Sequence, residues 1–361
     1  MILRIGSAAL LVASLVGCSS ILDYNDVSFG DTTAATPFDA GDPGACESLT
    51  CPTNQHCSPA AGACVCNAGF QVSGDGCELS PSGNLADRSI DEVCGKWKTA
   101  HEYSDPAPWA PGASECEPGA LSAAGRSDAL SRLSAYRWLV GLGPVDSNES
   151  LNDASMYCAV MTSWNKAGGS YDPHLPPASA KCYSAQGADM AAKSAILWGP
   201  HVPAEGIDWL VQDQGNDSTL GNRRWALNPP LGPVGIGFYS GGGVYGSALC
   251  IDVFEASGYG PKPEWFSFPP PGYSPIEIAS WTWSFHHSLD VSQVNMKVSR
   301  VGDGAALAMN KIQTAQGFGT HYAAAFKPKG WDPAPGQTYR VTLVGIPGGN
   351  VEYEVKPVDC H

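Results

Sequence analysis

The chain has 361 residues with 20 basic and 35 acidic side chains, a formal charge of −15. At roughly 100–200 residues per domain that length accommodates two or three domains with sizeable cores, and the acidic balance is the opposite of what a nucleic-acid binder needs. Its 42 glycines and 29 prolines, without a three-residue period, exclude collagen and speak against a helix-rich bundle. The acidity is uneven: residues 18–120 hold 15 acids and 3 bases, residues 121–258 hold 12 and 8, and residues 259–361 hold 8 of each. The negative charge therefore belongs to the N-terminal part, where it keeps the chain solvated and extended, and marks no acidic site in the body.

Arg4 precedes a mostly apolar run over residues 5–16. The run is too short and too weakly flanked to span a membrane and reads as an export signal, residues 1–17. Leu15-Val16-Gly17-Cys18 resembles the lipobox of bacterial lipoproteins. The resemblance implies cleavage before Cys18, lipidation of Cys18 and attachment to a membrane; an ordinary signal peptide with Cys18 incidental is the alternative. Of 13 cysteines, an even number remains once Cys18 is set aside, and export makes disulfides available. Ser19 and Ser20, with no Asp beside the cysteine, resemble an outer-membrane address. Two or three acyl chains anchor stably where one gives marginal binding.

Residues 18–45 are polar without sustained periodicity and read as a disordered tether. Residues 46–78 contain Cys46, Cys51, Cys57, Cys64, Cys66 and Cys77. A segment this short needs bridges to fold, and zinc is the competing use of its cysteines. The Cys64-Val65-Cys66 pair with Asn67-Ala68-Gly69-Phe70 and Gly76-Cys77 resembles an EGF-like module. The resemblance implies the pairs Cys46–Cys57, Cys51–Cys64 and Cys66–Cys77; spacing alone leaves 15 pairings open. Residues 79–120, with Pro106, Pro108, Pro111 and Pro118, read as a second linker clipped by Cys94 and Cys116.

Residues 121–258 start helical. Ser127 is a candidate N-cap, with Leu130, Leu133 and Trp138 following at near-helical spacing. A second helix opens at Glu149-Ser150 with Leu151, Ala154, Cys158 and Met161 on one face, a third covers residues 187–198 and a fourth residues 203–212. Strands are expected over residues 234–239 and 247–254, with Leu249, Ile251 and Val253 facing away from Cys250, Asp252 and Phe254. Residues 265–361 then alternate with period two in five runs, Trp281/Trp283/Phe285, Val294/Met296/Val298, Tyr322/Ala324/Phe326, Tyr339/Val341/Leu343 and Val351/Tyr353/Val355. Short strands at regular spacing point to a β-sandwich. Gly336-Gln337-Thr338-Tyr339-Arg340-Val341 resembles a strand of immunoglobulin-like and fibronectin-type-III-like modules, in which the tyrosine pins a corner. The fold class expected is α+β, a helical and mixed domain followed by an all-β one.

Gly221-Asn222-Arg223-Arg224-Trp225-Ala226-Leu227-Asn228-Pro229, followed by Val234-Gly235-Ile236-Gly237, resembles the signature of the CAP superfamily of cysteine-rich secretory, antigen 5 and pathogenesis-related proteins, also called SCP domains. Leu151-Asn152-Asp153-Ala154 resembles the start of that family's second helix. The resemblance implies an α-β-α sandwich on a small antiparallel sheet over residues 121–258. It also implies a cleft lined by two histidines and two glutamates, which in some members hold a divalent metal. Here His174 falls at the first histidine, but Asn222 stands at the second, Ala188 at one glutamate and Gln212 at the other. One imidazole cannot assemble a zinc site, which takes three or four ligands, and a lone histidine lacks the carboxylate partner of a general base. No metal and no cofactor are expected.

Several other residues have structural readings. Arg223 and Arg224 are expected to pair with Asp213 and Asp217, His201 to be exposed, His286 and His287 to face opposite ways on a strand, and Trp281 and Trp283 to share a core face. Outside the EGF-like segment, the expected bridges are Cys158–Cys182, Cys94–Cys116 and, by elimination, Cys250–Cys360. No nucleophile elbow, Walker loop, dinucleotide fingerprint or His-Glu-x-x-His is present. The leading functional reading is a surface-anchored, non-enzymatic binding or adhesion lipoprotein of the outer membrane, on its cell-surface or its periplasmic face, that takes an apolar small molecule or an envelope component. The alternative is a hydrolase of peptide or envelope polymer, with Glu205 or Asp213 reaching His174.

Overall fold

Ser89 begins the first sizeable element with a reciprocal cap: its Oγ accepts the Glu92 backbone N–H, while the Glu92 carboxylate accepts the N–H of Ser89. The computed structural model describes residues 49–361 apart from 53–54, 59–62, 67–69, 74–75, 80–83, 166–167, 169–170, 259–260 and 347–348. The expected signal, Cys18 and the tether lie outside the described residues. Two hairpins come first, β1 (Gln55–Ser58) with β2 (Ala63–Cys66) and β3 (Phe70–Ser73) with β4 (Gly76–Leu79). Cys51 and Cys64 are bridged. The expected pairs Cys46–Cys57 and Cys66–Cys77 involve side chains outside the described ones.

The segment read as a linker is in part a helix, α1 (Ile90–His101). Val93, Trp97 and Ala100 recur at helical spacing and are buried, so the segment has an apolar stripe to dock. A short hairpin of β5 (Trp109–Ala110) and β6 (Ala120–Leu121) leads to α2 (Ala123–Leu139). Ser122 caps α2, five residues before the expected Ser127, by accepting the Gly125 N–H. Next come α3 (Glu149–Trp164), capped by Asn148, and α4 (Ala185–Ala191). The expected third helix stops there, and residues beyond it form strand β7 (Ser194–Trp198). Ile196 and Trp198 face one side and Ala195 and Leu197 the other, the two-residue period of a strand. α5 (Pro203–Gln212), α6 (Gly221–Ala226), β8 (Ile236–Tyr239) and β9 (Ala248–Asp252) complete this half.

These strands form an antiparallel sheet in the order β7-β9-β8. Helices cover both faces. Cys158, Met161, Met190 and Ala191 of α3 and α4 pack with Ile196, Tyr239 and Cys250, whereas Leu133, Tyr136, Ile207 and Leu210 of α2 and α5 pack with Phe238, Leu249 and Ile251. Approach of α3 to β8 depends on glycine: a Cβ on Gly237 would lie 2.0 Å from the Ser155 backbone. Asn152 on α3 uses that closeness, its Oδ1 accepting the Ile236 N–H at 2.9 Å.

The second half begins with β10 (Trp265–Phe268), β11 (Gly272–Pro275) and α7 (Ile276–Ser280), then β12 (Trp283–His287), β13 (Asn295–Arg300), β14 (Ala306–Leu307), β15 (Met309–Ile312), β16 (Tyr322–Pro328), β17 (Tyr339–Val344) and β18 (Val351–Val358). Two sheets, β10-β12-β16-β15 and β11-β18-β17-β13-β14, enclose Trp283, Phe285, Phe326, Val298, Val341 and Val355. Tyr339 accepts the Ala334 N–H at 3.0 Å, holding the turn before β17 against its strand. Trp281 is not on the β12 face with Trp283. It follows α7 and stacks on Phe268, 6.0 Å between rings.

The two halves share a core. Phe266 and Phe268 of β10, Ile278 of α7 and Cys360 belong to the same buried cluster as Trp97, Leu133 and Leu210. All three expected bridges outside the first hairpins are corrected: Cys94 pairs with Cys360, Cys116 with Cys182 and Cys158 with Cys250. Cys158–Cys182 fails because Cys158 points with the buried α3 face at the sheet, where Cys250 lies. Cys94–Cys116 fails because helix α1 turns Cys94 toward the core it shares with Cys360.

Candidate functional site

The positions that would line a CAP cleft are divided between the two faces of the sheet. His174 joins the α4 side: its Nδ1 lies 2.9 Å from the Ala191 carbonyl oxygen, and its backbone N–H donates to Asp172. Because a carbonyl can only accept, that contact fixes the proton on Nδ1. Ala188 is on α4, whose Met190 and Ala191 pack in the same cluster as Ile196 and Cys250. Gln212 ends α5 and Asn222 and Arg223 lie on α6, on the side of Leu249 and Ile251. Glu205 accepts from His201, and Asp213 accepts from Asn216, Asn222 and the Arg223 N–H. Neither carboxylate is directed at His174.

The α5–α6 corner is built around Asp213, which caps α5 in the left-handed region (φ 53°) and is buried. Burial raises its pKa to about 6, against the pull of Arg223 and of hydrogen bonds from Asn216 and Asn222. The Arg223 guanidinium spans the two halves. It donates to the carbonyls of Val211, Gln212 and Thr282 and to Ser284 Oγ, and lies 4.4 Å over the Phe268 ring. Burial lowers its pKa to about 10, offset by Asp213 and Asp217. Arg224 reaches the other way, to the carbonyls of Thr219, Ala315 and His321 and to Gln316. The expected pairing with Asp217 is instead made by Lys327, and Thr282 also donates to that carboxylate. The signature arginines are thus rivets between the halves.

A second cluster, absent from the sequence reading, combines an imidazole with a carboxylate. Asp208 on α5 accepts from Arg132 and, at 2.9 Å, from the Tyr136 hydroxyl. His101, at the end of α1, donates through Nδ1 to the Trp97 carbonyl at 2.7 Å, which leaves Nε2 3.6 Å from Asp208 Oδ1. Arg132 and Tyr136 are fully buried, while the side chains of His101 and Asp208 keep 27% and 24% exposure, so the imidazole and carboxylate meet at the surface. Burial, then Asp208, pushes the Tyr136 hydroxyl well above its usual range, so it stays a donor. Burial opposes the Arg132 charge, and Asp208 outweighs it, so the guanidinium pKa is raised. Trp281 lies 6.1 Å from Tyr136, and Glu277 on α7 holds His361. Helical i,i+4 pairs place Trp97 with His101 and Arg132 with Tyr136. The signal in the sequence is a charged residue on each apolar stripe, Arg132 on α2 and Asp208 on α5.

Among the described residues, no three His, Cys, Asp or Glu side chains are grouped to hold a metal ion. His286 stacks on Phe266 at 4.3 Å, and His287 lies on the Phe285 side, so the two rings do face opposite ways. His201 is largely exposed beside Glu205. Comparison with family models, curated proteins and solved structures returns no match for this chain.

Proposed function

We propose that the chain is an exported, lipid-anchored binding protein of the cell surface and not an enzyme. The observation that carries this reading is the oxidised cysteine framework: Cys51–Cys64, Cys94–Cys360, Cys116–Cys182 and Cys158–Cys250. Such bridges persist in oxidising compartments and are rare in a reducing cytosol, which agrees with the apolar N-terminal run and the Leu15-Val16-Gly17-Cys18 motif. No helix among the described residues is long and apolar enough to cross a membrane. In this proposal lipid on Cys18 is the attachment, and the acidic tether holds the body away from the bilayer.

The antiparallel sheet between two helical layers supports a CAP-like reading of residues 121–258, with cleft positions diverted to structural use in Asn222 and Arg223. The EGF-like and immunoglobulin-like readings of the flanking segments belong to the same proposal. The ligand class proposed is an apolar small molecule or an envelope component. Native mass spectrometry of the full chain, extracted from membranes in mild detergent, tests this. A stoichiometric bound species supports the proposal. A ligand-free protein that cleaves peptide or envelope polymer, and loses that activity in His101→Ala, contradicts it. The hydrolase reading is kept because His101 and Asp208 bring an imidazole and a carboxylate together at the surface.

A further inference from the structure

The bridges of the folded body differ in access. Cys158 and Cys250 are fully buried between α3 and β9, while in the Cys94–Cys360 bridge Cys360 is buried and Cys94, on α1, is half-buried. Cys116 is exposed, the one exposed member among the described bridged cysteines, and its partner Cys182 is half-buried. A thiolate must reach a sulfur along the S–S axis to exchange, so exposure selects the bond that is attacked.

The exposed bridge fastens a loop over aromatic side chains. Residues 111–119 connect β5 to β6, and the loop lies against the end of α3 and β8. The Glu115 carbonyl accepts from the Tyr239 hydroxyl at 2.8 Å and from the Trp164 indole at 3.1 Å. Trp109, at the base of the loop, meets Tyr239 edge-on at 5.0 Å. Lys181, the neighbour of Cys182, pairs with Glu115 at 3.1 Å and sits 3.5 Å over the Trp164 ring. Apart from the bridge, the loop tip is held across to α3 and the segment before α4 by these few contacts. The Lys181–Glu115 pair is exposed on both sides, and pairs of that kind contribute little.

We propose that Cys116–Cys182 is an exchangeable clasp, opened by a dithiol reductant, that controls whether the 111–119 loop covers the Trp109–Trp164–Tyr239 face. One thiolate of the dithiol attacks the Cys116 sulfur, the Cys116–Cys182 bond breaks, and Cys182 leaves as a thiolate beside Lys181. The second thiol of the reductant then attacks the mixed disulfide. Cys116 is released, the reductant becomes a disulfide, and two electrons pass to the protein cysteines. Cys94–Cys360 and Cys158–Cys250 stay closed, so the body remains folded while the loop lifts.

Titration of the folded full chain with dithiothreitol, trapping with iodoacetamide and peptide mapping read the order of opening directly. Cys116 and Cys182 become alkylated at a dithiothreitol concentration at least about tenfold below that needed for Cys94, Cys360, Cys158 and Cys250. Over the same range cleavage after Glu115 and Glu117 by a glutamyl endopeptidase accelerates as the loop backbone lifts, and the double variant Cys116→Ser/Cys182→Ser is cleaved at that faster rate without reductant. Opening of Cys94–Cys360 or Cys158–Cys250 at the same concentration overturns the proposal. So does reduction of Cys116–Cys182 with no gain in the rate of cleavage after Glu115 and Glu117. The wild-type titration decides the matter independently of how the double variant folds.

Discussion

Cys94 on the first helix is joined to Cys360, the penultimate residue, across 266 residues of chain. The bridge sits in the core shared by both halves, beside Trp97 and Ile278, and fixes the end of the β-sandwich to the helical layer. Bridging over a long loop restricts the unfolded chain strongly. The variant Cys94→Ser/Cys360→Ser is expected to lose about 3–5 kcal/mol of stability, read by denaturant unfolding. An unchanged midpoint would show that the shared core alone holds the halves together.

Arg223 should be the costliest single side chain to remove at the junction. Arg223→Met leaves the Val211, Gln212 and Thr282 carbonyls without their donor and Asp213 without its neighbouring charge. Breaking one side of a buried charged network costs about 3–5 kcal/mol. Calorimetric melting of Arg223→Met, compared with Asn222→Ala on the same helix, separates the interdomain role from a local one, the smaller loss being expected for Asn222→Ala.

Gly237 tests the seating of α3 on the sheet. A methyl group in Gly237→Ala would meet the Ser155 backbone at 2.0 Å, where no flexible side chain can yield. Forced overpacking of this kind costs about 3 kcal/mol. Loss of the Asn152–Ile236 hydrogen bond, followed by faster amide exchange at Ile236, should accompany it. Gly302, with open space around its Cβ position, is the control and should tolerate alanine.

Asp213 gives a pH dependence of defined sign. Its folded pKa is raised to about 6 from an ordinary 3.8. The folded state therefore binds the proton more tightly, and the contribution to stability is fully present below about pH 4 and lost as pH rises through about 6. The loss is about 2–3 kcal/mol. It is read as the difference between the wild type and Asp213→Asn in denaturant unfolding across that window, and the reverse slope would contradict the assignment.

Local periodicity made much of the architecture legible and long-range pairing did not. Residues 203–212 and the alternating runs at Val294/Met296/Val298 and Tyr339/Val341/Leu343 correspond to α5, β13 and β17 because each carries its own repeat. α1 is hidden in the sequence because prolines farther along the segment dominate its composition, although Ser89 and Glu92 spell a capping box. β7 reads as part of a helix in the sequence because it follows α4 after two residues, and its burial on both faces removes the polar alternation of an exposed strand. β11 pairs parallel to β18, a contact no local pattern encodes. The disulfides failed for the same reason: Cys94–Cys360 and Cys158–Cys250 follow from which helix faces meet which sheet, not from proximity along the chain. The positions a CAP cleft would use follow from motif resemblance alone, whereas their division across the sheet and the meeting of His101 with Asp208 depend on tertiary packing.

The proposal of an exported, lipid-anchored protein is tested most directly by non-reducing mass spectrometry of the full chain recovered from its native envelope. The expected result is a mature N-terminus at Cys18 carrying acyl chains, together with the linked peptides Cys94–Cys360, Cys116–Cys182 and Cys158–Cys250. An unprocessed chain beginning at Met1, or free thiols at Cys158 and Cys250, would contradict it.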